Sequence, residues 1–573
     1  MDNKKKAHFG KYCITDKEIL KYNDGEKKYT KVSDLVKVKE IKRDIESKKN
    51  SIILQYNYKG SIHEIEVSRG SLSRQELQKL LEYGLDVFEH KASEISKFLS
   101  IQEQSAPLEY YHTHLGWCDI EGHLTYKHYE LISRNNELTS VYSGDLDLSA
   151  AGSLDGWRDL IKNEVQGTVT LEMALVLGFS SIVVGYLAQS IEMESMVFHL
   201  WGDSTKGKTT AAKLAASPFG KPSQSIGGLI NTWNGTKNAI INQLTNNRGI
   251  PFVLDEASMG SFKDFTNQIY QLASGIDKAR MNKEAKMRKR ETWATTIIST
   301  AEKSLLANAT QSTGQHIRLL EFDNITWTRD ARNADAIREG VEKHYGHSAP
   351  IFAQYLLDID FETVIDLWNS WKQVLMEKLP QKDNFAERIV KKLALILLTA
   401  ELVEKSLKIN LNKEGLSQLL IEQNQQSLEN RDIGSKALEV IIEAIYQHRR
   451  KFDRVYNETD FPSQGNENWG QIKQFEEKTE VSILPKKLRD LLMENDFEDI
   501  NVVINAWKEK GILNHDAGGN QTKATVNSKR VRVYSLSLSK SVFSLKDESS
   551  MKPSKKLKSN KKTTLEDLFN NEA

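Results

Sequence analysis

The sequence is poor in cysteine, in net charge and in long apolar runs. Two cysteines, Cys13 and Cys118, in 573 residues exclude a disulfide-built scaffold and a cysteine-based zinc cluster, and they fit a reducing cytosol. A formal net charge of +1 leaves no global field to select a polyanion, so any nucleic-acid surface must be local. The N-terminus MDNKKKAHFGKY has basic residues with no apolar stretch behind them, unlike a secretory signal. The apolar segment MALVLGFSSIVVGYLA, residues 173–188, is shorter than the about 20 residues that span a bilayer. Its Gly178, Ser180, Ser181 and Gly185 suit a tightly packed core helix, so a cytoplasmic protein without a membrane partner is expected.

What is present is a soluble-type composition, 39% hydrophobic and 27% charged, on a chain long enough for three or four domains. Residues 1–165 read as a mixed α/β domain. SIILQYNYKGSIHEIEVSRG gives two alternating strands around a Lys-Gly turn, and SRQELQKLLEYGLDVF gives an amphipathic helix with Ser73 as its cap. Asp145 and Asp147 in DLD could suggest a metal pair, but no acidic or histidine partner accompanies them, and a solvated loop is expected.

The segment after the strand-like MVFHL reads G-D-S-T-K-G-K-T and fits G-x-x-x-x-G-K-[S/T] without mismatch. Glycines let the backbone curl so that its N–H groups face anionic oxygens. Gly202, Asp203, Ser204, Thr205, Lys206, Gly207, Lys208, Thr209 and Thr210 are therefore expected to cradle ATP. Lys208 reaches the β- and γ-phosphates, Thr209 ligates Mg²⁺, and the following helix points its positive end at the phosphates.

An acidic partner follows in GIPFVLDEAS. Asp255, at the end of a buried strand, is expected in the Mg²⁺ shell, and Glu256 is expected to orient and deprotonate the attacking water. A third strand, WATTIISTAE, ends in Ser299 and Thr300; Thr300 is the expected polar sensor and Ser299 the alternative. Arg318 in STGQHIRLLEF is either half of a local ion pair or a finger reaching a neighbouring subunit's γ-phosphate. Arg388, opening the helix of NFAERIVKKLALILL, is a weaker candidate for a second sensor. These parts assign residues 166–430 to a P-loop ATPase, with a helical lid from about residue 334.

Basic residues crowd GIDKARMNKEAKMRKRETW between the acidic and sensor strands: Lys278, Arg280, Lys283, Lys286 and Arg288 among them. A basic hairpin there would project from the ATPase core and grip a phosphate backbone; a solvated helical face is the bland reading. Residues 435–540 give two helices split by a turn and then a β-hairpin, the outline of a winged helix. Lys523, Lys529, Arg530 and Arg532 on the hairpin suit phosphates, unless the domain serves only protein contacts. Residues 541–573 form a Ser/Lys-rich tail without core-forming residues, expected to be disordered. Its TLEDLF lacks the glutamine of peptides that dock on the bacterial sliding clamp.

GDSTKGKTTAAKLAASPFG, NTWNGTKNAI, PFVLDEAS, WATTIISTAE, GQHIRLLEF and the N-terminal HLGWCD together resemble the MCM-like AAA+ replicative helicases of staphylococcal cassette-chromosome and pathogenicity-island elements, the Cch type. The W-x-x-T stretch with Trp233 and Thr236, and the order of the later blocks, narrow the resemblance to that family. It implies an α/β architecture: an AAA+ core, a mixed α/β N-terminal domain and a C-terminal winged helix. It also implies a hexameric ring that hydrolyses ATP with Mg²⁺ between subunits, moves 3′ to 5′ on single-stranded DNA, and opens duplex at the fork with replication partners. Lys208, Thr209, Asp255 and Glu256 would act in cis, with Arg318 supplied in trans and the hairpin near Lys283 and Lys286 lining the pore. The cysteines of the archaeal and eukaryotic MCM N-terminal zinc site are missing. The alternative is a DNA-binding AAA+ initiator or loader that does not unwind; no GAFTGA loop of the transcription activators occurs.

Overall fold

The computed structural model describes residues 7–257, 265–278, 290–306, 317–379, 384–431, 433–456, 459–464, 467–475, 477–495, 497, 500–516 and 519–539. Two compact units emerge, residues 1–260 with 271–302 and 324–417, and residues 261–270 with 303–323 and 418–573.

The first unit opens on a four-stranded antiparallel meander from Ala7–Phe9 to Lys28–Asp34. The next sheet is built on Val36–Asp44, Asn50–Tyr58 and Ser61–Ser68, antiparallel in that order. The hairpin turns at Lys59 and Gly60, both at positive φ, 52° and 88°, as a tight two-residue turn requires. Helix Glu89–Glu103 buries Ile95, Phe98 and Leu99 against the cluster that holds Val36, Ile52 and Leu54.

One expected helix is not continuous. Residues 73–88 form a single α-turn, Arg74–Leu77, then a 3₁₀ segment, Gln78–Tyr83, and Ser73 makes no side-chain cap. An unbroken helix would set Leu85 about 140° round from Leu80. The break at Gly84, φ 91°, lets both leucines enter the same core.

Strands Leu115–Ile120, His123–Lys127 and Leu131–Ser133 form a third sheet, to which Asn247–Arg248 adds in parallel. The HLGWCD block is this seam. A Cβ on Gly116 would lie 2.0 Å from the Arg248 carbonyl oxygen, and the Trp117 indole N–H donates to the Ile182 carbonyl at 2.8 Å.

Helix Val169–Leu187 is long and apolar enough to cross a membrane, yet it is buried from Leu171 to Leu187. Its small residues explain why. A Cβ on Gly178 would meet the Ala215 carbonyl at 2.1 Å, and Ser180 bonds Thr296 at 2.7 Å. Four parallel strands lie in the order Ile230–Thr232, Phe252–Asp255, Thr296–Ala301, Met196–Trp201. Helices Ala331–Lys343, Ser348–Asp358, Phe361–Lys378 and Asn384–Leu407 follow. Trp368 and Trp371 donate to the Lys391 carbonyl and the Glu401 carboxylate at 3.0 and 2.8 Å, locking the last two together.

The second unit contains helices Ile433–Gln447, Pro485–Glu494 and Ile500–Glu509 on a sheet. Proline at the first turn of Pro485–Glu494 sits where no intrahelical N–H is needed. Strands Thr522–Val526 and Lys529–Ser539 form the expected hairpin, turning at Asn527 and Ser528 with φ 49° and 61°. The unit is larger than the winged-helix outline. Strands Phe452–Tyr456, Thr459–Phe461, Gly470–Gln474 and Lys478–Ile483 lie between the first of these helices and the other two, and Lys478–Ile483 pairs with Lys529–Ser539.

Candidate functional site

The loop after strand Met196–Trp201 takes the shape its glycines permit. Gly202 has φ 140° and Gly207 φ 78°, both in the region that favours glycine. A Cβ on Gly207 would stand 2.6 Å from the Thr328 hydroxyl oxygen, so any side chain there is excluded by contact as well. Helix Lys208–Ala216 starts directly behind, and its unpaired N–H groups face the loop. The Lys208 ammonium donates to the carbonyls of Gly202 at 2.8 Å and Asp203 at 2.7 Å. Burial lowers its pKa, against the pull of Glu302, Glu256 and Asp203. Phosphate oxygens entering the cradle would replace those carbonyls as acceptors and restore the charge balance.

Asp255 is 2% exposed, and a carboxylate so buried needs its oxygens satisfied. Three side chains do so. Thr209 donates its hydroxyl at 3.2 Å, Gln224 its amide at 3.0 Å, and Thr300 its hydroxyl in a short bond. Two ligands placed cis about an octahedral Mg²⁺, at about 2.1 Å each, lie about 3 Å apart, which is the Thr209–Asp255 spacing. The residues therefore fit the cation. No group of three or more acidic, histidine or cysteine residues that could hold a metal ion exists among the described residues, so phosphate and water would complete the shell.

Ser299 and Thr300 separate cleanly. Ser299 faces inward, accepting the Trp233 indole N–H at 3.0 Å and lying 3.0 Å from the His199 ring nitrogen. Thr300 lies beside Asp255 and accepts the Glu256 backbone N–H at 3.1 Å. Glu256 itself sits at φ 59°, a conformation that a non-glycine residue holds only when its surroundings impose it.

A cleft of about 340 Å³ opens over the loop, lined by residues 204–210 together with Glu256, Glu302, Ala331, Ala334, Asp335 and Arg338. Sequence reasoning missed Glu302, Ala331, Ala334, Asp335 and Arg338. Ser204 bonds Glu302, and Arg338 pairs with Asp335; Lys206 donates to the Asn324 side chain at 2.6 Å. The spacing of Ala331, Ala334, Asp335 and Arg338 puts them on one helical face. That signal was available, but not which partner the face meets.

Arg388 is a correction. It stands beside Glu194, 4.0 Å away and half-exposed. Glu194 precedes strand Met196–Trp201, so Arg388 lies at the end of that strand opposite the phosphate loop, about 20 Å off at 3.3 Å per residue. It is not brought to the cleft of its own chain. Arg318 precedes strand Leu319–Asp323, and its guanidinium lies over the Tyr270 ring at 4.8 Å.

The two ends of the basic segment meet: Ile276 bridges Thr292, and the Asp277 N–H donates to the Glu291 carbonyl at 2.9 Å. Lys278 is exposed at its base; Arg280, Lys283, Lys286 and Arg288 lie outside the described residues. On the C-terminal hairpin, Lys523 is opposite Arg532 and Thr525 opposite Arg530. Lys523, Lys529, Arg530 and Arg532 are all exposed.

A family described as a domain of unknown function (DUF927) matches residues 11–292, and the Cch helix turn helix domain matches residues 432–541. None of the curated proteins compared with the chain matches it. Among solved structures, that of "SCCmec type IV Cch - active helicase" superposes with a TM-score of 0.76 at 26% identity, covering 94% of this chain and 99% of that one. The apo C-terminal region of NrS-1 aligns over 87% of this chain and 95% of that one, at 10% identity and a TM-score of 0.28. In its C-terminal domain and in its fold over 94% of its length, the chain is of the Cch type.

Proposed function

We propose that the protein is an ATP-driven DNA helicase, acting in the cytoplasm as a ring of identical subunits, six by the resemblance, that moves 3′ to 5′ on single-stranded DNA. The observation that carries the reading is the Asp255 cluster: Thr209, Thr300 and Gln224 converge on one buried carboxylate directly beside a complete phosphate loop.

Each residue has a role that its position supports. Backbone N–H groups of residues 202–209 and the Lys208 ammonium bind the β- and γ-phosphates of ATP. Thr209 and Asp255 would hold Mg²⁺, which neutralises phosphate charge. Glu256 orients the attacking water and takes its proton, while Thr300 fixes the backbone at that point. Arg338 approaches the triphosphate from the same subunit, and Arg318 is assigned to the neighbouring subunit's γ-phosphate. Lys278 with Arg280, Lys283, Lys286 and Arg288 is assigned to single-stranded DNA in the pore, and Lys523, Lys529, Arg530 and Arg532 to duplex at the fork.

Strand displacement on a forked duplex with both tails tests this, with Lys208→Ala as the blank. Unwinding by the parent and none by the variant is expected. DNA-stimulated ATP hydrolysis without displacement would move the assignment to an initiator or loader.

A further inference from the structure

The basic residues of the second unit do not all lie on its hairpin. Helix Ile433–Gln447 ends in a short 3₁₀ turn, Arg449–Lys451, that leads straight into strand Phe452–Tyr456. Arg454 on that strand is 4% exposed, and Arg449 and Arg450 both repel its guanidinium. Burial pushes the pKa of Arg449 and of Arg454 down.

Two aromatic rings stand beside this cluster. Phe461, paired with Arg454 across the strands, is 44% exposed, with its ring centre 6.0 Å from the guanidinium. Tyr446, in the last turn of the helix, is 55% exposed. Lys451 and Lys487 share Glu467. The Asp453 side chain accepts the backbone N–H groups of Ser463 at 3.0 Å and Asn527 at 2.8 Å, and so holds the turn of the hairpin. Successive strand residues face opposite ways, so Asp453 serves the hairpin and Arg454 faces away from it.

We infer that Arg449, Arg450 and Arg454 with Phe461 and Tyr446 form a second nucleic-acid site on this domain, distinct from the hairpin, that takes single-stranded DNA. Arg449 and Arg450 contact phosphates, and the buried Arg454 lies against the Phe461 ring. The exposed rings offer faces on which unpaired bases stack, which bases locked in a duplex cannot use. The inference rests on the reading of the chain as acting on DNA, and adds to it a second place where a single strand is held.

Fluorescence anisotropy on the full chain without nucleotide tests it, using one labelled mixed-sequence single strand and the same sequence as duplex, over a salt series. The double variant Arg449→Ala, Arg450→Ala should lower the slope of log affinity against log salt on the single strand by about 1.4, two phosphates at about 0.7 each. Phe461→Ala should weaken single-strand binding about five-fold or more and leave that slope unchanged. Both variants should melt like the parent and keep its DNA-independent ATP hydrolysis. Parent-like single-strand affinity and slope in both variants, or losses on duplex alone, would overturn this site and leave the helicase reading standing. A parent chain that binds neither substrate would overturn both.

Discussion

Thr300 and Glu256 are joined by one hydrogen bond, in which the Thr300 hydroxyl oxygen accepts the Glu256 backbone N–H at 3.1 Å. The same hydroxyl donates to Asp255. A single side chain on strand Thr296–Ala301 thus fixes the Asp255 carboxylate and the left-handed backbone of Glu256, φ 59°. Thr300→Val keeps the shape and removes both bonds. ATP binding should survive, while turnover should fall about 10²-fold, the loss that goes with misplacing a catalytic group by about 1 Å. Thr300→Ser should recover most of the loss. Equal turnover by the parent and the valine variant would refute the role.

Arg338 reaches the cleft from helix Ala331–Lys343. Arg338→Ala should weaken ATP binding about ten-fold, the loss expected of one charge-assisted contact. Titration in a Glu256→Gln background, where turnover is blocked, isolates binding from chemistry. Affinity equal to that of the background would place Arg338 outside the nucleotide contact.

His112 and His128 are buried as neutral rings. His112 lies 2.7 Å from the Ser140 hydroxyl and 2.7 Å from the His128 carbonyl, and the His128 ring lies 2.6 Å from the Phe219 carbonyl. Desolvation is the main cause that lowers each to a pKa of about 4. The unfolded chain, with ordinary histidines near 6.5, binds more protons in between, so stability is present above about pH 6.5 and lost as pH falls toward 4. Each ring should contribute a slope of order 1.4 kcal/mol per pH unit in that window. The melting temperature should drop between pH 7 and 5, and His112→Asn should flatten the drop.

Gly178 has no room for a side chain, because its Cβ would overlap the Ala215 carbonyl of the helix behind the phosphate loop. Gly178→Ala should destabilise the first unit by about 1–3 kcal/mol, overpacking outweighing the better helix propensity of alanine. Thermal melting reads the effect; a variant as stable as the parent would show that the two helices can part without cost.

Arg530→Ala and Arg532→Ala remove exposed charges from the C-terminal hairpin. Duplex binding should weaken across all sequences, and the salt slope should fall by about 1 per residue. A sequence-dependent loss would instead assign base reading to these arginines.

Some of this was written locally and some was not. The phosphate loop, Asp255 and the hairpin of residues 522–539 were legible because strand, turn and helix signals there all agree with one another. The break at Gly84 was not, because the 3.6-residue pattern of leucines is satisfied by a continuous helix until the shared core of Leu80 and Leu85 is known. Arg388 misled because an arginine opening a lid helix looks the same at either end of the sheet. The four strands between residues 452 and 483 passed unread because their pairings lie across turns and helices, outside any local window.

The sequence by itself determined the glycine-permitted loop after strand Met196–Trp201, the acid that ends strand Phe252–Asp255, and that buried helix Val169–Leu187 is built for close packing rather than lipid. Only the tertiary structure turned Thr300 toward Asp255 and Ser299 toward Trp233, set Arg388 beside Glu194 and brought Arg338 to the cleft. The reason is geometric. Adjacent strand residues face opposite sides, and a helix face has a meaning only once its neighbour is in place.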